Sequence, residues 1–292
     1  MGRLISDKFK EWALACDERF AKLKDNEEEL NRIFIALYGL QDELTPRVED
    51  KDITVRRAEL QREIRSLLSY AVGCIFGRYS PDVEGLCYAG GTWDASLYRT
   101  VMPVEDNLLT LHGGEEENDI VVRVVDFVRA VYGEDTLEEN LSFIAAALGG
   151  KGDAREVIRS YFISGFYTDH LKVYRKRPIY WLFDSGKKNG FKALFYLHRY
   201  DGELLSRMHS RYVVKRYDSL REKIKSRING LSSAEDRGKW VKDDKKLRLQ
   251  LDELATFEKK LKLLADRRIT LDLDDGVKVN YEKFGDLLAK IK

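Results

Sequence analysis

The sequence predicts a mainly α-helical protein of the α+β class, and three observations carry that expectation. Apolar residues recur at three- and four-residue spacing over long stretches. β signal is confined to two aromatic-rich runs around a glycine-bounded turn. Near the C-terminal end, two long apolar stripes flank a polar turn, the pattern of an antiparallel helical hairpin.

The first helix is expected from Ile5, Phe9, Trp12, Cys16, Phe20 and Leu23, with Leu30, Ile33, Phe34 and Leu37 continuing its stripe to Gly39. A second runs from Leu60 to Ile75 and ends near Gly77. "SPDVEGLCYAGGTWD" carries Pro81, Gly85, Gly90 and Gly91 and reads as loop or short irregular strands. "DIVVRVVDFVRAVYG" is expected to be helical despite its valines, because Ile120, Val124, Val128 and Val131 share a face. Thr136 with Glu139, and Asp153 with Glu156, have the spacing that caps a helix start, so helices should begin near Leu137 and Ala154. The second should end around Tyr174, before Arg177-Pro178.

Ile179 to Phe183 and Phe191 to Tyr200 then form the predicted β-hairpin. Beyond Asp201, Tyr217, Leu220, Ile224, Ile228 and Leu231 make one stripe, and Leu247, Leu251, Leu254, Phe257, Leu261 and Leu264 make the other. "ITLDLDDGVKVNYEKF" reads as a short strand and turn. The expected units are a helical domain (1–150), a basic aromatic helix plus β-hairpin (151–202), the helical hairpin (203–268) and a strand/turn tail (269–292). Met1-Gly2 leads straight into an amphipathic helix with no capping signal, as a piece cut from a longer protein would begin.

Charge is distributed unevenly although the net is only +1. Val104 to Asn140 holds 11 Asp/Glu against 2 Lys/Arg, whereas His170 to Gly230 holds 16 Lys/Arg against 5 Asp/Glu. Such asymmetry points to a polyanion or an acidic partner at the basic end, unless the two faces simply neutralise each other in the fold. Tyr161 to Tyr217 also contains 14 of the 32 aromatics. Cations neutralise phosphates and exposed aromatics can stack on bases, so this segment is the candidate surface for double-stranded DNA. The candidate contacts are Arg175, Lys176, Arg177, Lys187, Lys188, Lys192 and Arg199, which flank or tip the hairpin. Most of the interleaved aromatics, Trp181 and Phe195 among them, are expected to be core.

Other chemistries lack their residues. "SGKKNG" is no phosphate loop, because Trp181 stands where the first glycine belongs. "DLDDGVKVNYE" is no calcium loop, since Leu271 and Leu273 fall at ligand positions. The four histidines fit no metal spacing, and no serine-hydrolase or dinucleotide motif stands in its proper context. Cys16, Cys74 and Cys87 show no CxxC spacing and suit reduced thiols of the cytoplasm; no run is long and apolar enough for a membrane span, and the N-terminus lacks a signal peptide's apolar core.

"EEELNRIFIALYGLQDELTP", "LLSYAVGCIFGRYS", "KRPIYWLFDSGKKNGFKALFYLHRYD" and "LDLDDGVKVNYEKFGDLLAKIK" carry a resemblance. Across about residues 26–292 the chain resembles the C-terminal region of the PglX-type adenine-specific DNA methyltransferases of BREX phage-defence systems. Related combined restriction–modification enzymes carry similar segments. The resemblance implies a parent that uses S-adenosylmethionine to methylate adenine N6 at an asymmetric DNA site. It implies as partners the parent's upstream methyltransferase and target-recognition domains, and other defence-system proteins. The chain departs from that family's catalytic pattern, which needs an Asn-Pro-Pro-Tyr type loop and a Gly-rich donor turn. Its four prolines, Pro46, Pro81, Pro103 and Pro178, are never adjacent. No catalytic residue carries over, and no cofactor is expected in this chain. The expectation is a non-catalytic module that assists DNA binding and complex assembly; the alternative is a scaffold that never touches DNA.

Overall fold

The computed structural model describes residues 3–113, 118–229 and 237–291, apart from the side chains of 227–229 and 237–242. The aromatic hairpin lies at its centre. Strands β2 (Tyr180–Asp184) and β3 (Lys192–Tyr196) pair antiparallel, with Leu182 opposite Leu194, and a two-residue β1 (Leu109–Thr110) pairs with the other edge of β3. The order is therefore β1-β3-β2.

Side chains alternate across a strand, so one residue in two faces each way. Both faces are buried here. Tyr180, Leu182, Leu194 and Tyr196 join one apolar cluster, and Trp181, Phe183, Ala193 and Phe195 join the other. A sheet covered on both sides reads as a continuous apolar run, which is why "YWLF" and "ALFY" show no polar alternation.

The first cluster is closed by α2 (Leu60–Ile75), α3 (Ile120–Tyr132), α4 (Leu137–Ala147), α5 (Ala154–Ser164) and α6 (Phe166–Val173). The predicted starts of α4 and α5 are correct, but only one cap works as expected. Asp153 accepts the Glu156 amide at 3.0 Å, whereas the Thr136 hydroxyl donates to the Tyr132 carbonyl at 3.2 Å. The expected single helix from Ala154 to Tyr174 is two, broken at Gly165. A methyl group at Gly165 would stand 2.9 Å from the Tyr161 ring, so glycine permits the close turn.

The second cluster is closed by α7 (Leu204–Met208), a π turn (His209–Val213), α8 (Val214–Asn229) and α9 (Arg237–Ala265). α8 packs against α9, as the paired stripes predicted, with Leu220, Leu254, Phe257 and Leu261 buried. Ile228 lacks a described side chain, and Leu231 lies outside the described residues. The tail differs from its strand-and-turn expectation. Asp272 accepts the Asp274 amide at 3.0 Å in a 3₁₀ turn that leads into α10 (Gly276–Glu282). Its β contribution is one bridge, Phe183 to Leu288. Acidic side chains before and within a first helical turn favour helix over strand here.

The long first helix α1 (Ile5–Tyr38) attaches at its N-terminal end, where Asn140 accepts the Ile5 amide at 2.8 Å. The segment after it runs back along α1. Lys24 meets Asp50 at 2.7 Å, the Glu28 carboxylate accepts the Val48 amide at 3.1 Å, and Asn31 donates to the Pro46 carbonyl at 3.2 Å.

Candidate nucleic-acid interface

The hairpin's aromatics are packing residues. Trp181, Phe183, Phe191 and Phe195 have no exposed surface, and the Trp181 indole N–H donates to the Pro178 carbonyl at 2.9 Å. A base cannot stack on a ring that water does not reach, so these four rings are excluded as stacking platforms.

Two of the seven predicted cations are built into the fold. Lys192 is 7% exposed, and its ammonium sits 2.6 Å from Asp184, its cross-strand partner. Arg199, just after β3, reaches the end of α2 and the 104–105 segment. Its guanidinium donates to the carbonyls of Phe76 (3.1 Å), Val104 (2.8 Å) and Glu105 (3.2 Å) and lies 4.5 Å from the Trp93 ring. Burial pushes its pKa down from the ordinary arginine value.

The other five are exposed at two turns. Arg175, Lys176 and Arg177 follow α6, with Arg175 and Lys176 at φ 49° and 61°. Their amides close the helix by donating to the carbonyls of Lys172, Leu171 and Tyr174. This left-handed reversal, followed by Pro178, holds three cations outward before β2 begins.

Lys187 and Lys188 tip the turn at the other end of β2, and that turn is clamped to α9. The Glu253 carboxylate accepts the amides of Lys188 (2.8 Å) and Gly190 (3.0 Å) and the Ser185 hydroxyl (2.8 Å). Gln250 donates to the Lys188 carbonyl at 2.9 Å, and Arg216 donates to the Gly190 carbonyl at 3.1 Å. A side chain at Gly190 would collide with the Gln250 carbonyl oxygen, 2.6 Å from the ideal Cβ position. The backbone is fixed while the two lysine side chains stay outside.

The five-residue β2, roughly 15 Å long at about 3.3 Å per residue, lies between these two basic turns. The exposed candidate cations thus fall in two groups that flank and tip the hairpin.

A groove of about 1160 Å³ lies between the 102–106 segment and the start of α8, outside the residues that sequence predicts as a site. The π turn brings Arg211 and Tyr212 to its rim. Asp106 is buried; it receives the Tyr212 hydroxyl and the Asn118 amide (3.0 Å), and lies 3.7 Å from Arg211. Lys215 and Lys223 add cations to the same wall, while Glu105 and Glu222 add acid. The spacing Arg211, Lys215, Ser219, Glu222 marks one helical face and could have been found by periodicity. The π turn that aims its first residue has no sequence signature. Among the described residues, no group of three or more His, Cys, Asp or Glu could hold a metal. No described helix is long and apolar enough to cross a membrane.

No family profile matches the chain. Two curated proteins are similar to it along almost its whole length. The adenine-specific methyltransferase PglX of Lacticaseibacillus casei (strain Zhang) is 46% identical over 283 residues, covering 94% of this chain and 24% of that protein. The adenine-specific methyltransferase BrxX of Escherichia coli (strain HS) is 40% identical over 310 aligned positions, covering 94% of this chain and 26% of that protein. The chain thus spans about a quarter of the length of these relatives. Identity at this level over 94% of the residues bears out the resemblance carried by the quoted strings: the chain is similar to the C-terminal region of the PglX-type adenine-specific methyltransferases.

Proposed function

We propose that this chain is a non-catalytic module of a site-specific DNA adenine-N6 methyltransferase of cytoplasmic phage defence. It contacts the backbone of double-stranded DNA and helps assemble the methyltransferase and target-recognition domains that act with it. The relatives' names support the parent activity. The absence of adjacent prolines in the sequence supports the non-catalytic part, because a flipped adenine needs a positioned polar loop to hold it. S-adenosylmethionine would then be bound by the parent's other domains.

One observation carries the DNA contact: five exposed cations stand on two turns whose backbones are held by Pro178 and by Glu253. Fixed turns bearing mobile cationic side chains suit phosphates, which position a protein without reading sequence. Titration of this chain with S-adenosylmethionine is expected to give no heat of binding, and incubation with donor and duplex no methyl incorporation. Saturable donor binding with methyl transfer would overturn the non-catalytic reading. The scaffold reading is favoured by the buried aromatics, and it prevails if the chain shows no affinity for duplex.

A further inference from the structure

The apolar stripe of α1 outruns the body that covers it. Ile5, Cys16 and Phe20 are buried, but Leu30, Ile33, Phe34 and Leu37 are 54, 52, 53 and 71% exposed. At 100° per residue these four fall within about one third of the helix circumference, so they form one contiguous ridge. The returning segment does not cover it. That segment engages Lys24, Glu28 and Asn31, which lie round the helix from the ridge. Single exposed leucines are ordinary, whereas four aligned large side chains on a projecting helix mark an interaction site.

The surrounding charge narrows the partner. Residues 25–43 contain six Asp/Glu against one Lys/Arg. This repels a phosphate backbone, so the ridge is no part of the nucleic-acid surface. It also disfavours a second copy. Paired in either direction, two such ridges bring their flanking Glu27 and Glu29 towards the partner's same glutamates or towards its Asp42 and Glu43. A complementary surface has an apolar strip and a basic rim. The relatives supply a source, since about three quarters of their length lies outside the matched segment.

We infer that the Leu30–Leu37 ridge of α1 docks the part of the methyltransferase chain that lies outside this segment in its relatives, through an apolar strip rimmed by Lys and Arg. The inference rests on the family reading but not on DNA contact or methyl transfer. Buried ridge residues at the contact centre exclude water and carry the affinity, with the acidic rim setting orientation.

Hydrogen exchange provides the test. Amides of residues 27–38 are followed in this chain alone, and those of the aligned helix in the full-length Lacticaseibacillus casei protein. Docking is expected to slow exchange in the full-length protein about tenfold or more, because opening must also break the contact. Asp at the positions aligned with Ile33 and Phe34 is expected to restore fast exchange. The same pair, Ile33→Asp and Phe34→Asp, leaves the melting temperature of this chain nearly unchanged. If the double Asp variant unfolds the full-length protein, Ala at those two positions carries the test, with a partial loss of protection expected. Equal exchange in the two proteins would overturn the inference. So would sedimentation of this chain as a dimer that the double Asp variant returns to monomer, since the occupant would then be a second copy. Neither measurement reads DNA or methylation, so its failure is separable from failure of the proposed function.

Discussion

Asp119 ties two helices together from a fully buried position. It caps α3 by accepting the Val121 and Val122 amides, at 3.0 and 3.3 Å, and grips Arg159 of α5 with both oxygens at 2.6 and 3.0 Å. Asp119→Ala removes a cap and strands a mostly buried guanidinium, so it is expected to cost roughly 3–5 kcal/mol in urea unfolding. His170 is a second residue whose chemistry is set by burial. Its Nε2 accepts the amides of Ile179 and Tyr180, both at 3.1 Å, so the proton of the neutral ring sits on Nδ1. Burial, helped by the charge of Arg78, lowers its pKa to about 3. The folded state therefore resists a proton that the unfolded chain accepts near pH 6.5. The stabilisation is complete above pH 6.5 and is lost as pH falls towards 3, by up to about 1.4 kcal/mol per pH unit. A His170→Gln variant, whose amide oxygen can still accept, is expected to show a shallower loss of melting temperature between about pH 6.5 and 4 than the parent. Parallel curves would refute the buried neutral ring. Lys192 gives a third contrast. Lys192→Ser is expected to lower stability by breaking the buried pair with Asp184, whereas Lys187→Ser, at the exposed tip, leaves it nearly unchanged.

Among the elements, α8 and α9 were legible from periodicity alone, because each buries a single stripe against the other. Ile224→Asp and Leu254→Asp are expected to cost roughly 3–5 kcal/mol each, and unchanged denaturation midpoints would show that the helices do not share a core. The hairpin was legible too, through its β-forming aromatics and the Gly-Lys-Lys-Asn-Gly turn. Trp181→Ala and Phe195→Ala should each cost about 3–5 kcal/mol as core losses. β1 escaped notice because two residues carry no period, and its pairing with β3 is a tertiary choice. The break at Gly165 escaped because a lone glycine is compatible with a continuous helix until the Tyr161 ring is in place. The predicted contacts divided along the same line. Sequence placed Lys187 and Lys188 correctly at a turn tip, but could not show that Glu253, more than sixty residues away, fixes that turn. Nor could it separate Lys192 and Arg199, which serve the fold, from the cations left outside, because the distinction depends on Asp184 and on three backbone carbonyls.

At the scale of the whole molecule, one small sheet separates two apolar clusters, and its hairpin exposes cations at both ends. The last turns of α1 and the residues after them (25–43) are acidic and carry the apolar ridge, so charge is unevenly placed although the net is only +1. The central claim is that the two basic turns contact duplex phosphates. Its most direct measurement is duplex binding by this chain as a function of salt, compared with a variant carrying Ser at Arg175, Lys176, Lys187 and Lys188. The parent is expected to bind with little sequence preference at roughly 10⁻⁴ to 10⁻⁶ M, and its log affinity should fall by about 0.9 per log unit of salt for each phosphate neutralised. The variant should melt at nearly the parent's temperature and show both weaker binding and a flatter slope. Unchanged affinity and slope in a folded variant would contradict the account and leave the chain a scaffold.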